Sequence, residues 1–331
     1  MPVSLRVAIA GFGFMGQMHF GAFQKLENIE IAAIFSPSAR REGGPQAVSG
    51  NIAGSANFDW SAVHFTDDIE EILRDDSIDI LDICLPTPLH GELAVRALGA
   101  GKHVLCEKPM ARTLRECDAM LEAQRNSGQI LAIGHCLRFW PQYVVAQEMI
   151  SSGELGEIRA ARLFRQSGTP RWSRWLLDEA QSGGAILDFH IHDIDTALWW
   201  FGAPDAVSAV GTRENGLAKG VDAHWIYNDG PQISLRGAWD DNDSPFEMGF
   251  HIQGTRATLD WNLKNGETMQ LFRAQSEPQT IEPPSKNAYE AQIEAFVKRV
   301  RGHQNAALPN AQSSRLSVEL ALETLRQISA S

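Results

Sequence analysis

The sequence predicts an α/β plus α+β architecture in two domains. Residues 1–125 would form a doubly wound parallel sheet, and residues 126–331 a second domain built on a mostly antiparallel sheet. Three observations predict this. Up to about residue 125, short aliphatic runs alternate with longer amphipathic stretches, the pattern of βαβ units. Beyond the run Ile130 to Ile133 the texture changes to strand-like segments separated by turn signals such as Asn228-Asp229-Gly230 and Asn265-Gly266, as hairpin-connected strands read. The 331 residues also exceed the ~100–200 of a typical domain, so each part can bury its own core.

In chain order, Leu5 to Ala10 is a buried-type strand, Met15 to Leu26 a helix and Ile29 to Phe35 a second strand. Asp79 to Leu85 is a third strand, Pro88 to Ala100 a helix, His103 to Cys106 a strand and Thr113 to Asn126 a helix. Parallel strands need such crossovers. Glu157 to Phe164, Ala206 to Thr212, Ala223 to Tyr227, Ile233 to Trp239, Phe246 to Ile252 and Ala257 to Trp261 are strand-like. One helix, Ala185 to Phe201, interrupts them. Two more, Asn287 to Val300 and Ser313 to Ile328, follow a loop marked by Pro278, Pro283 and Pro284, and these are expected to pack back on the first domain.

Charge and cysteine usage exclude several classes. With 29 Lys+Arg against 41 Asp+Glu the formal charge is −12, which disfavours nucleic acid and acidic membranes as partners, since both need a basic surface. No apolar run approaches the ~18 residues that span a bilayer, and the first residues lead straight into a strand, so a cytoplasmic protein is expected. Cys84, Cys106, Cys117 and Cys136 lack CxxC spacing, so neither a disulfide framework nor a bound metal is expected.

Gly11-Phe12-Gly13-Phe14-Met15-Gly16 follows the first strand and opens the first helix. In that context Gly11 permits a tight turn, Gly13 lets a pyrophosphate approach the backbone, and Gly16 allows close helix–sheet packing. NAD-preferring folds place an acid on the ribose at the end of the second strand. Here that place holds Ser36, with Arg40 and Arg41 nearby. A hydroxyl and guanidinium groups suit a 2′-phosphate, which favours NADP over NAD. Arg40 and Arg41 also read as solvated surface charges.

Two further segments carry chemistry-bearing residues. Glu107-Lys108-Pro109 ends a parallel strand, at the edge where open α/β sheets bind ligands. Gly183-Gly184 precedes Asp188, His190 and His192 on an otherwise apolar helix. Asp188 and His192 are spaced i, i+4 and share a face, whereas His190 points elsewhere. A lone buried histidine is ordinarily a satisfied core residue.

Together, the glycine turn, Pro86-Thr87-Pro88-Leu89-His90, Glu107-Lys108-Pro109 and Gly183-Gly184 with Asp188 and His192 closely resemble the glucose-fructose oxidoreductase / inositol dehydrogenase / rhizopine catabolism (Gfo/Idh/MocA) family. The likeness runs in matching order from residue 5 to about residue 202. It implies an N-terminal Rossmann domain and a C-terminal domain built on an open, predominantly antiparallel sheet. It also implies that Lys108, Asp188 and His192 hold the family's catalytic positions. Pro86, Thr87, His90, Glu107 and Lys108 would then join Gly11 to Gly16 at the cofactor.

The chemistry implied is hydride transfer between nicotinamide and a secondary alcohol or ketone of a sugar, cyclitol or related polyol. Histidine's ordinary pKa near ~6.5 suits proton exchange near neutral pH. A lysine beside the same oxygen would stabilise developing alkoxide charge, and Asp188 would orient substrate or imidazole. Arg138, Arg171 and Trp172 are expected substrate contacts, because their segments mix donors with flat aromatic faces. The same fold also admits an NAD-dependent glycoside hydrolase or a non-catalytic nicotinamide-binding regulator. The β-rich half leads us to expect a homodimer or homotetramer.

Overall fold

The computed structural model describes residues 4–37, 63–305 and 307–330. Arg40 and Arg41 lie outside them. The chain divides into two compact units, the first made of residues 1–136 and 287–315, the second of 137–286 and 316–331. No described helix is long and apolar enough to cross a membrane.

In the first unit, strands β1 (Leu5–Ala10), β2 (Ile29–Phe35), β3 (His64–Thr66), β4 (Ile80–Ile83), β5 (His103–Glu107) and β6 (Leu131–Gly134) form one sheet in the order β3-β2-β1-β4-β5-β6. Each of these neighbours pairs in parallel. The order reverses beside β1, which opens a crevice at the carboxyl ends of the strands. Helices α1 (Phe14–Gln24), α2 (Ile69–Arg74), α3 (His90–Gly99) and α4 (Leu114–Ser127) supply crossovers. α4 is fixed at both ends: Thr113 and Glu116 form a reciprocal capping box, and Gly128 closes it in the left-handed conformation, so three of its terminal groups are satisfied locally.

The expected boundary at residue 125 falls one strand short, because β6 pairs with β5 from Val104↔Leu131 to Glu107↔Gly134. A later segment also belongs here: Ile293, Phe296 and Val297 share a core with Val7, Ile9, Phe20, Phe23, Ile34 and Leu105.

The second unit holds an eight-stranded sheet in the order β14-β13-β12-β11-β7-β10-β9-β8. Its strands are β7 (Ile158–Gly168), β8 (Ala206–Glu214), β9 (Leu217–Ile226), β10 (Gln232–Asp240), β11 (Glu247–Gly254), β12 (Thr258–Asn262), β13 (Met269–Phe272) and β14 (Gln279–Ile281). All neighbours are antiparallel except β7 and β10, as a predominantly antiparallel sheet requires. Alternation of period two buries one face: Ala161, Leu163, Ala223, Trp225, Ile233, Leu235, Phe250, Ile252 and Trp261 all point into one core. Helices α5 (Pro141–Ser151) and α7 (Ile191–Phe201) pack against that face; a single-turn helix α6 (Glu179–Ser182) precedes α7. Tyr143 of α5 and Trp200 of α7 close on Phe250, with ring centroids 5.3 Å apart in each case.

Of the last two helices, α8 (Ala288–Val300) lies in the first unit, and α9 (Ala311–Ala330) belongs to the first through Arg315 and to the second from Leu316 onward.

Candidate functional site

In the first unit the site begins at the turn after β1. Gly11 has φ +97°, and a Cβ there would stand 2.5 Å from the Cys84 carbonyl oxygen. Gly16 is equally constrained, since its Cβ would lie 2.0 Å from the Gly11 carbonyl oxygen. Those two glycines are required by the fold itself. Gly13 is different: it is exposed, a Cβ would meet nothing within 4 Å among the described residues, and it caps α1 without any side-chain hydrogen bond. Open space above helix N–H groups is what a pyrophosphate needs, so these residues fit the nucleotide. Phe12 backs the turn, edge-on to Phe20 at 5.5 Å and Phe65 at 6.0 Å, while Phe14 and Met15 are half-buried in the first turn of α1. Ser36 sits buried just past β2, its backbone N–H on the Thr66 carbonyl.

At the ends of β4 and β5, Pro86 is half-buried and Thr87 buried. His90 was expected at the cofactor. Instead its two ring nitrogens face the carbonyls of Pro109 at 2.9 Å and Leu85 at 2.7 Å, so it joins the two turns that border the crevice. Lys108 is half-buried, joined to Pro109 by a cis peptide.

Glu107 is buried, and its neighbours are a group that the sequence reading missed. His19 of α1, wholly buried, sits 2.9 Å from Asp82 and 3.3 Å from Glu107. Burial opposes charge on His19, yet Asp82 and Cys84 beside it outweigh that and raise its pKa well above the ordinary 6.5. Burial likewise pushes the Glu107 carboxyl up, but His19 and Lys108 more than reverse this and hold it low. Among the described residues, His19, Asp82 and Cys84 bring possible ligand atoms within 4.8 Å of one another. Burial and the Asp82 charge push the Cys84 thiol up to about 12, so it keeps its proton, and direct hydrogen bonds close the group. A carboxylate inside the apolar run Ile80-Leu81-Asp82-Ile83 was the available signal.

In the second unit, Gly183 and Gly184 both take positive φ, +77° and +63°; a Cβ would strike Leu187 at 2.6 Å or the Ala218 carbonyl at 2.8 Å. They lead into a π-helical turn, Ile186–His190, that runs on into α7. Such turns are often found at functional sites. From Ser182 to Leu198 every residue is buried except Asp188 and His192, which are half-buried. The i, i+4 spacing was expected to run along one α-helix, whereas a π turn carries Asp188 and α7 carries His192. His190 is wholly buried against β10, where a Cβ on Gly237 would stand 2.8 Å from its Nδ1.

Two buried ion pairs fix α7. Arg165 of β7 donates to Asp193 at 3.2 and 3.3 Å, its guanidinium between Phe189 and Phe246. Arg138, expected to touch substrate, is buried and donates to both oxygens of Asp195 at 2.8 Å, with Ser317 on the same carboxylate. Its planar fork is occupied, so Arg138 orients the helix. Arg171 is exposed and held by Asp241 and Asp243. Asp241 also accepts from Lys219 at 2.7 Å and from Thr169 at 2.7 Å, and Lys219 leads in holding its carboxyl far below the ordinary range. Trp172, next to Arg171 in this tethered segment, is 51% exposed.

Comparison with known proteins agrees with both halves. A family model described as an oxidoreductase family with an NAD-binding Rossmann fold (GFO_IDH_MocA) matches residues 5–135, and one for the GFO/IDH/MocA C-terminal domain matches residues 143–260. A 1,5-anhydro-D-fructose reductase of Ensifer adhaerens is 30% identical over 285 residues, covering 83% of this chain and 81% of that protein. An NADP(+) scyllo-inositol 2-dehydrogenase of Bacillus subtilis is 28% identical over 64% of this chain and 56% of its own length. Levoglucosan dehydrogenase in complex with NADH and levoglucosan has the same fold, with a TM-score of 0.83 at 22% identity over 98% of this chain and 97% of that one.

The three glycines are separable by experiment. Gly13→Ala should unfold at the wild-type temperature yet bind NADPH at least ~10-fold more weakly. Gly16→Ala should cost about 1–3 kcal/mol of stability, because the helix must move to admit the Cβ. Tight NADPH binding by Gly13→Ala in a titration would remove the nucleotide from that turn.

Proposed function

Because this chain belongs to the GFO/IDH/MocA family of NAD(P)-dependent oxidoreductases, we propose that it interconverts a secondary alcohol and a ketone on a sugar, cyclitol or related polyol, with Lys108, Asp188 and His192 as its catalytic residues. The observation that carries the reading is the accessibility of α7 and the π turn before it. From Ser182 to Leu198 the chain is buried except at a carboxylate and an imidazole, Asp188 and His192, which are half-exposed. The two side chains left accessible in this otherwise buried run are ones that can hydrogen-bond a hydroxyl and exchange its proton.

NAD(P), when bound, supplies or accepts the hydride. Gly11, Phe12, Gly13, Phe14, Met15 and Gly16 would hold its pyrophosphate, with Pro86, Thr87 and Glu107 bordering the crevice. His192 takes the proton of the substrate hydroxyl in oxidation and returns it in reduction. Lys108 donates a hydrogen bond to the same oxygen and stabilises negative charge there. Asp188 orients the substrate or the imidazole, and Trp172 offers a flat apolar face to a sugar ring.

NADP is the favoured cofactor. Support comes from Ser36, a buried hydroxyl residue where NAD-preferring folds place an acid, from Arg40 and Arg41 in the sequence, and from the NADP(+) dependence in the name of the Bacillus relative. We also read the chain as a homo-oligomer. The sheet face opposite the second core carries Arg162, Arg236, Asp222 and Asp260, charges of both signs that two copies related by a two-fold axis can match. Light scattering should give a multiple of the 36.5 kDa chain; a monomer mass at every concentration would exclude this.

A panel of sugars and cyclitols assayed with NADP and NAD by nicotinamide absorbance tests the rest. Turnover of at least one member is expected, with kcat/KM about 10-fold higher for NADP. His192→Ala and Lys108→Ala should each lower kcat by about 10²–10⁴ while NADPH affinity stays within about 3-fold. Wild-type turnover by either variant would overturn its assignment, and a preference for NAD would overturn the reading of Ser36, Arg40 and Arg41.

A further inference from the structure

The nucleotide turn and the proposed proton chemistry leave two buried residues of the first unit without a role, Asp82 and His19, which form a row with Glu107. It joins three separate elements. Asp82 lies in the middle of β4, His19 on α1 three residues past Gly16, and Glu107 at the end of β5. His19 Nδ1 lies 2.9 Å from Asp82 Oδ2, and Nε2 lies 3.3 Å from Glu107 Oε1. The other Glu107 oxygen, Oε2, accepts the backbone N–H of Lys108 at 3.2 Å.

We propose that His19 is a positioning residue for the reaction: bridging Asp82 and Glu107, it fixes the Glu107 carboxylate and, through it, the backbone turn that presents Lys108. The proposal rests on the reading of Lys108 given above.

Stability alone does not call for such an arrangement, since apolar residues of similar volume commonly serve a buried sheet at least as well. A bridging imidazolium offsets the burial that would otherwise push the Glu107 carboxyl up in a site that excludes water. The groups facing His19 are Asp82 and Cys84 from the β4 end and Glu107 from β5; Lys108 adds a positive charge beyond Glu107. Gln292 of α8, uncharged, lies beside Glu107: a Cβ on Gly134 would stand 2.5 Å from Glu107 Oε1 and 3.4 Å from Gln292 Nε2. Crowding on this side confines the Glu107 side chain. With the cation removed, Glu107 becomes neutral, and its hold on the Lys108 N–H weakens.

The test uses the full chain with His19→Gln, Glu107→Gln and the double variant. Glu107→Gln leaves the Asp82–His19 pair in place and serves if His19→Gln does not fold. Two readouts are taken: hydrogen exchange of the Lys108 amide by NMR without cofactor, and steady-state kinetics on whichever sugar the wild type accepts. Expected are exchange at Lys108 faster by about 10-fold or more in each single variant, and kcat lower by about 10-fold with KM within about 3-fold. The double variant should be no slower than the slower single, since both act through one contact. Wild-type exchange at Lys108, or losses that multiply in the double variant, would overturn the proposal. If the wild type turns over no sugar or cyclitol, the functional reading fails and the exchange measurement alone decides the role of His19.

Discussion

The constraint on which the second unit depends is the neutralisation of two carboxylates on a buried helix. Asp193 and Asp195 lie within α7, 0% and 1% exposed, and ionised acids without partners in such a place cost several kcal/mol each. Arg165 and Arg138 meet them from outside the helix, each through two nitrogens, so the helix has one rotation at which both pairs form. At that rotation Asp188 and His192 stay half-exposed. The polar residues that satisfy the core and those left half-exposed are therefore settled by the same interaction. The π turn, entered through two glycines that no other residue could replace without a clash, delivers the chain to that helix.

The first unit solves a related problem by other means. Its crevice is shaped by glycines whose Cβ atoms would collide with backbone, and one glycine whose Cβ would collide with nothing. Around that opening the polar groups are turned inward: His90 lies between two carbonyls, and Glu107 accepts the Lys108 amide and pairs with His19. Such ties cost conformational freedom once, on folding, so a bound nucleotide or substrate meets groups already in place.

Much of this was legible in the sequence. The parallel sheet, the antiparallel sheet and the helix carrying His192 follow from periodicity and turn residues, because each is long enough to repeat its pattern. β3, β13 and β14 hold only three or four residues each, too few for alternation to show, and β6 was set beyond the domain boundary because a four-residue apolar run does not reveal its sheet. Arg138 looked like a substrate ligand because a donor's partner is invisible when it lies 57 positions away. His90 read as a cofactor contact for the same reason, since its acceptors are backbone carbonyls that a sequence does not display. Asp82 inside an apolar strand and His19 just past the glycine turn were each visible, but their meeting is a property of the sheet order.

The account stands on the claim that buried ion pairs set the rotation of α7. A double-mutant cycle on Arg138→Met and Asp195→Asn, followed by denaturant unfolding, measures it most directly. Each single substitution should cost about 3–5 kcal/mol, and the double should recover at least about 2 kcal/mol of the summed loss, as a directly coupled pair does. Additive losses, within about 0.5 kcal/mol, would show that Arg138 and Asp195 act independently and would contradict the claim.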